Sequence, residues 1–212
     1  MRGGGRFSCG GWARLFLVKH SKIFVFSLDI VHFFLYIVGV KRRCFVVGFS
    51  GSRSLSSSSP AAVLLAACVR GAVASGAPVA VGCASGADAL VRSLCSSARV
   101  FAAASSSPAA LAARSVAFVR ALAAVAGSLL VSAPSGLCPR GVFPSRAWVS
   151  GASPSGSWSS LALAVGLGVS VFVVGLPASS LPAWWGGSWV ASSRFGVAGF
   201  SFRSPVLSLF GD

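Results

Sequence analysis

The chain has 212 residues, is 55% hydrophobic and only 10% charged, and carries a formal net charge of +15. That length and apolar content suit one ordinary domain with extensions and exclude a wholly disordered chain. The basic balance favours phosphate-bearing partners or an anionic membrane surface, and says nothing about fold.

Residues 1–43 hold every Lys, Ile, Tyr and His of the chain. Within them "IFVFSLDIVHFFLYIVGV" (23–40) is an apolar run with Asp29 and His32 inside it and basic residues on both flanks. A membrane-spanning helix needs about 20 apolar residues, and a central Asp costs roughly 2.5–3.5 kcal/mol on insertion. Three readings stay open: a membrane anchor, a packed accessory element, or upstream sequence outside the natural product. The run sits late for a signal peptide, and no small-residue cleavage pattern follows it. Lys41, Arg42 and Arg43 stand directly before the first predicted strand, which favours a cytoplasmic domain whether or not the run anchors it.

From residue 44 strand and helix signals alternate. "CFVVGF" (44–49) is a short continuous apolar run, as a buried parallel strand should be. "SSPAAVLLAACVRGAVASG" (58–76) places Ser before Pro at a first helical turn and Gly76 as a stop. "APVAVG" (77–82) is the second strand, "GADALVRSLCSSA" (86–98) the second helix and "RVFAA" (99–103) the third strand. "SSPAALAARSVAFVRALAAVAG" (106–127) repeats the Ser-Pro start and Gly stop, and "SLLVSAP" (128–134) is the fourth strand. After a long loop come a helix, "SGSWSSLALAVGLG" (155–168), and a fifth strand, "VSVFVVG" (169–175). This order predicts a doubly wound α/β domain over 44–176 with a mostly parallel five-stranded sheet. Residues 177–212 form a Trp-, Gly- and Ser-rich tail whose tryptophans are expected to cover an exposed edge of the core, the alternative being that they stack on bases. A bundle of membrane helices is the rival. Arg70, Arg92, Arg114 and Arg120 cut its candidate spans, and "LALAVGLGVSVFVVGL" (161–176) reads better as helix, turn and strand.

Missing residues narrow the chemistry. The chain has no Glu, Gln, Asn or Thr, and its only acids are Asp29, Asp88 and Asp212. A Ser-His-Asp triad would have to borrow a histidine from the first 43 residues, and "GFSGS" around Ser50 lacks the second glycine of a nucleophile elbow. The six cysteines show no C-x-x-C pair and no nearby histidine, so nothing points to a metal or an organic cofactor. Cys44, Cys68 and Cys95 sit in apolar patterns and read as small core residues of a protein in a reducing cytosol.

The glycine loops are the candidate site. In a parallel α/β fold they fall at the carboxyl edge of the sheet, where ligands bind. Backbone N–H groups in such loops, helped by a helix N-terminus, can cradle phosphate. After the first strand, "FSGSR" supplies Gly51, Ser52 and Arg53, whose fork suits phosphate. After the second, "GCASGAD" supplies Gly82, Ser85, Gly86 and Asp88. Asp88 is either a helix cap and dipole partner that braces the loop or an acceptor for a ligand's hydroxyls. Arg114 joins Arg53 in neutralising phosphate. "SGASPSGSW" (150–158) adds a third cradle with Gly156 and Ser157, without the lysine of an NTPase P-loop.

These motifs resemble the SLOG superfamily of Rossmann-like domains, which includes the DNA-processing protein A (Smf) family and the Lonely Guy phosphoribohydrolases. The likeness spans roughly 44–176 and rests on Gly51–Ser52–Arg53 and on the loop Gly82–Asp88. It implies a Rossmann-like domain that binds a phosphorylated nucleotide or nucleotide-derived ligand. One alternative it implies is a single-stranded DNA-binding module like the DNA-processing family. A second is nucleotide phosphoribohydrolase activity like that of the Lonely Guy enzymes, but Ser160 stands where their catalytic Glu would be. A homo-oligomer stays open.

Overall fold

The computed structural model describes residues 45–149 and 155–205. The hydrophobic run 23–40, the first half of the 150–158 cradle and the last seven residues lie outside the described residues.

The described chain is an α/β structure with a seven-stranded mixed sheet. The strands are β1 (Val47–Gly51), β2 (Val79–Gly82), β3 (Arg99–Phe101), β4 (Leu129–Ala133), β5 (Ser170–Val173), β6 (Ser188–Arg194) and β7 (Val197–Arg203). Four helices connect the first five: α1 (Pro60–Ala74), α2 (Ala87–Leu94), α3 (Pro108–Ala123) and α4 (Gly156–Gly166). The order across the sheet is β3-β2-β1-β4-β5-β7-β6, with β1 to β5 parallel and β6 and β7 antiparallel.

The alternation expected for 44–176 therefore appears, but a sheet of five strands was too small. Residues in the expected tail add two antiparallel strands, with β7 pairing to β5. Antiparallel outer strands need bury only one face, so they carry Ser and Arg among their apolar residues and leave no continuous apolar run to recognise. "LALAVGLGVSVFVVGL" divides into the end of α4, a turn at Gly168 and β5, as expected. Among the described residues no helix is long and apolar enough to cross a membrane.

Local chemistry sets the helix starts. Ser59 and Ser107 are N-caps in extended conformation, each followed by Pro. Their hydroxyls accept from the N–H groups of Ala62 and Ala110, both at 3.2 Å. Each cap satisfies a donor that the helix cannot, and proline at the next position lacks the N–H that would be orphaned. α1 gives way to Gly76 at φ +72°, a conformation that glycine adopts without steric cost.

Strand periodicity then sorts side chains to two faces. Val47 and Phe49 of β1, Val79 and Val81 of β2, and Leu129 and Val131 of β4 join Leu65, Cys68, Val69 and Ala72 of α1 in one core cluster. Fully burying a side chain of this kind stabilises by about 1.5–3 kcal/mol. On the other face a Cβ at Gly48 would collide with Phe118 and Leu122, so glycine there lets α3 approach β1. α1 packs on α2, and α3 packs on α4. With right-handed crossovers, each pair covers one face of the sheet.

The β6–β7 hairpin is tied back to this frame. Arg194 pairs with Val197 across a two-residue loop, and both Phe195 (φ +54°) and Gly196 (φ +75°) have positive φ. That is the twist a tight hairpin prefers, and it is costly for phenylalanine. Phe195 packs against the core cluster, and a Cβ at Gly71 of α1 would strike its side chain. The missing side chain at Gly71 is the notch that holds the hairpin tip.

Cys68, Cys83, Cys95 and Cys138 are free thiols. Burial pushes the Cys68 thiol up to about 11 and that of Cys138 up to about 12, the latter opposed by the Trp185 indole. Unfolded thiols ionise at a lower pH than these two, so the unfolded state holds fewer protons once the pH passes about 9. Stability should be insensitive to these thiols below that point. It should then fall by up to about 1.4 kcal/mol per pH unit for each thiol. Urea titrations at increasing pH check this. Cys138→Ala should remove part of the slope, and an identical slope in that variant would rule the thiol out as its source.

Candidate functional site

The strand order turns around between β1 and β4, which are neighbours although the chain leaves them toward opposite sides of the sheet. Open α/β sheets have a crevice at such a point, beyond the carboxyl ends of the strands. A cleft of about 500 Å³ lies there, within the range that holds small molecules.

Eight of the ten sequence-nominated residues line it. Gly51, Ser52 and Arg53 follow β1, while Gly82 ends β2 and Asp88 lies in the first turn of α2. Arg114 comes from α3, and Gly156 and Ser157 open α4. The floor includes Ser50, whose hydroxyl donates to Ser132 Oγ at 3.0 Å. Ser85 and Gly86 are not in the lining and hold the two glycine loops together instead. The Ser85 hydroxyl donates to the Arg53 carbonyl at 3.1 Å, and the Ala87 N–H donates to the Ser52 carbonyl at 3.0 Å. Gly86 has φ +64° and ψ −120°, a conformation natural only to glycine. A Cβ there would run into the Ser52 and Arg53 carbonyls.

Asp88 braces the glycine loop from the first turn of α2, as one expected reading had it, but it is not the N-cap. The cap position of α2 belongs to Gly86. The Asp88 carboxylate is buried, accepts from the Ala84 N–H at 3.1 Å, and forms an ion pair with Arg114 Nη1 at 2.8 Å. Both side chains of the pair are at most 10% exposed. Gly82 makes room for them, since a Cβ there would overlap the Arg114 guanidinium and Asp88 Oδ2. Arg92 completes the brace from the other side by donating to the carbonyls of Gly82 (2.8 Å) and Ala84 (3.0 Å). Sequence reasoning passed over Arg92, although its place four residues after Asp88 puts the two on one helix face.

The electrostatics follow from this network. Arg114 has its charge balanced inside the protein by Asp88. Arg53 is exposed at the cleft, and its guanidinium has no counter-ion among the described residues. α4 adds a second attraction for anions. Its N-cap, Ser155, makes no side-chain capping bond, so among the described residues the first-turn N–H groups at Gly156 and Ser157 are uncapped where they meet the cleft. The Ser160 hydroxyl turns back to the Gly156 carbonyl at 2.8 Å.

Trp148, in the segment between β4 and α4, also lines the cleft and was not nominated from sequence. A lone Trp in a loop has no periodic signal. The expected covering role of the tail tryptophans is seen in Trp185, which is buried against Trp158, Trp189 and Phe202 at ring distances of 5.5–5.9 Å. Among the described residues no three His, Cys, Asp or Glu side chains gather as a metal site would require.

No protein-family model matches the chain, and no curated protein or solved structure matches it either.

Proposed function

We propose that the chain is a SLOG-like, Rossmann-like domain whose cleft binds a phosphorylated nucleotide or nucleotide-derived ligand without transforming it. The observation that carries this reading is the convergence of Arg53, free of a counter-ion among the described residues, with the uncapped start of α4 in one cleft. A guanidinium and a helix N-terminus both favour a phosphate, and at Gly156, where an added Cβ would meet nothing, the backbone is open to its approach. Binding without turnover is favoured by the lining itself. Among the described residues its only carboxylate is Asp88, which is engaged by Arg114, and the likeness to the Lonely Guy enzymes would put Ser160 where their glutamate stands.

The single-stranded DNA reading rests on the charge of +15, the arginines, the Trp-rich tail and the likeness to the DNA-processing family. The tail tryptophans that could have stacked on bases are largely committed elsewhere, Trp185 and Trp189 to each other and to Phe202.

Calorimetry of the full chain with ribose 5-phosphate and adenosine monophosphate tests the proposal. Charge-assisted hydrogen bonds contribute about 1.5–3 kcal/mol, so Arg53→Ala should weaken binding of both probes roughly 10- to 150-fold. Absence of binding to either probe, or an Arg53→Ala variant that binds like wild type, would remove the site.

A further inference from the structure

The cleft has a second chemical character. Besides its serines and arginines it is lined by Pro108, Leu111 and Phe118 of α3 and by Trp148. The four other described tryptophans have satisfied indoles. Trp158 donates to the Gly136 carbonyl, Trp184 and Trp185 both donate to that of Val142, and Trp189 donates to that of Pro182. Trp148 is half-buried, yet its indole N–H has no acceptor and its ring meets no other ring among the described residues. Tryptophans that pack for stability usually find a partner for the N–H. A planar, half-buried ring on the wall of a cleft is what a base or another flat aromatic group stacks on.

We infer that Trp148 is the wall that takes the base of the ligand, with Arg53 and the start of α4 taking its phosphate. This rests on the phosphate-binding reading and narrows it to nucleotides over sugar phosphates. Stacking tolerates any base, because each has a π-face, so the wall sets the class of ligand and leaves the particular base undetermined. The segment that carries Trp148 is held at two points that precede it in the chain. Trp158 of α4 grips it at Gly136, and Trp184 and Trp185 grip it at Val142. The wall is thus anchored to the same helix whose N-terminus faces the phosphate.

The experiment compares adenosine monophosphate with ribose 5-phosphate on the full chain, in wild type, Trp148→Ala and Trp148→Phe. Base–aromatic stacking is worth about 1–3 kcal/mol, so the nucleotide should bind roughly 5- to 150-fold more tightly to wild type. Trp148→Ala should erase that ratio by weakening adenosine monophosphate far more than ribose 5-phosphate. Trp148→Phe, which keeps a flat ring, should retain most of the ratio and keeps the test valid if the alanine variant does not fold. Equal wild-type affinities, or a ratio untouched by both variants, would overturn the inference. In that case ribose 5-phosphate binding that still depends on Arg53 leaves the phosphate site standing. If neither probe binds, both proposals fall together.

Discussion

Replacing Arg114 with alanine should lower the unfolding free energy by about 3–5 kcal/mol, because it strands a buried carboxylate. Asp88 is nearly inaccessible to water, and its partner at 2.8 Å is the Arg114 guanidinium. Its bond with the Ala84 N–H at 3.1 Å is too little to replace a full counter-charge. The loss should extend beyond the pair itself. Asp88 and Arg92 together fix Ala84 and Gly82, and the same loop is stitched through Ser85 to Arg53. Removing both charges should do less harm than the single changes suggest, since a buried ion pair adds little over well-packed apolar groups of the same size. In urea titrations, Asp88→Ala with Arg114→Met should be more stable than the sum of the single losses predicts, by about 0.5–3 kcal/mol. Strict additivity, or a loss under about 1 kcal/mol for Arg114→Ala, would mean that water reaches the pair and screens it.

That pair also marks where sequence reading stopped. Asp88 was conspicuous as the only acid between residues 44 and 211, and the lone acid in a glycine loop pointed to the site. Its partner was illegible, because Arg114 lies 26 residues away on a different helix. Only the winding of the sheet brings the carboxyl edge of β2 under α3. The helices were legible for the opposite reason. Ser59–Pro60 and Ser107–Pro108 are local devices, complete within four residues, and they act as the sequence implies. Parallel strands were legible because burial on both faces writes them as unbroken apolar runs. β6 and β7 obey neither rule. Their edge is half-exposed, their turn is Phe195–Gly196 instead of a common hairpin pair, and the notch at Gly71 that receives the tip comes from a helix more than a hundred residues earlier.

The tail was expected to shield the core, and a second large effect follows from how it does so. Trp185→Ala should cost about 3–5 kcal/mol, the range for deleting a large buried aromatic. The ring is 5% exposed and meets Trp158, Trp189 and Phe202, the first and last edge-on. Edge-to-face pairs of this kind add about 0.5–1.5 kcal/mol beyond the area they bury. The indole N–H also donates to the Val142 carbonyl at 2.9 Å, an oxygen that Trp184 reaches at 3.1 Å. Two donors on one carbonyl separate packing from hydrogen bonding. Trp185→Phe keeps a ring and leaves Val142 satisfied by Trp184, so most of its loss should reflect the smaller ring. Trp184 is 48% exposed, so Trp184→Ala should cost well under about 2 kcal/mol, since its ring buries far less surface. Denaturant midpoints for the three variants check this order. Loosening the Val142 end should also free the Trp148 segment, so Trp185→Phe should keep the preference for adenosine monophosphate over ribose 5-phosphate better than Trp185→Ala does. A Trp185→Ala protein within about 1 kcal/mol of wild type would show that the aromatic cluster yields without a cavity and that the tail is not what holds this wall of the cleft.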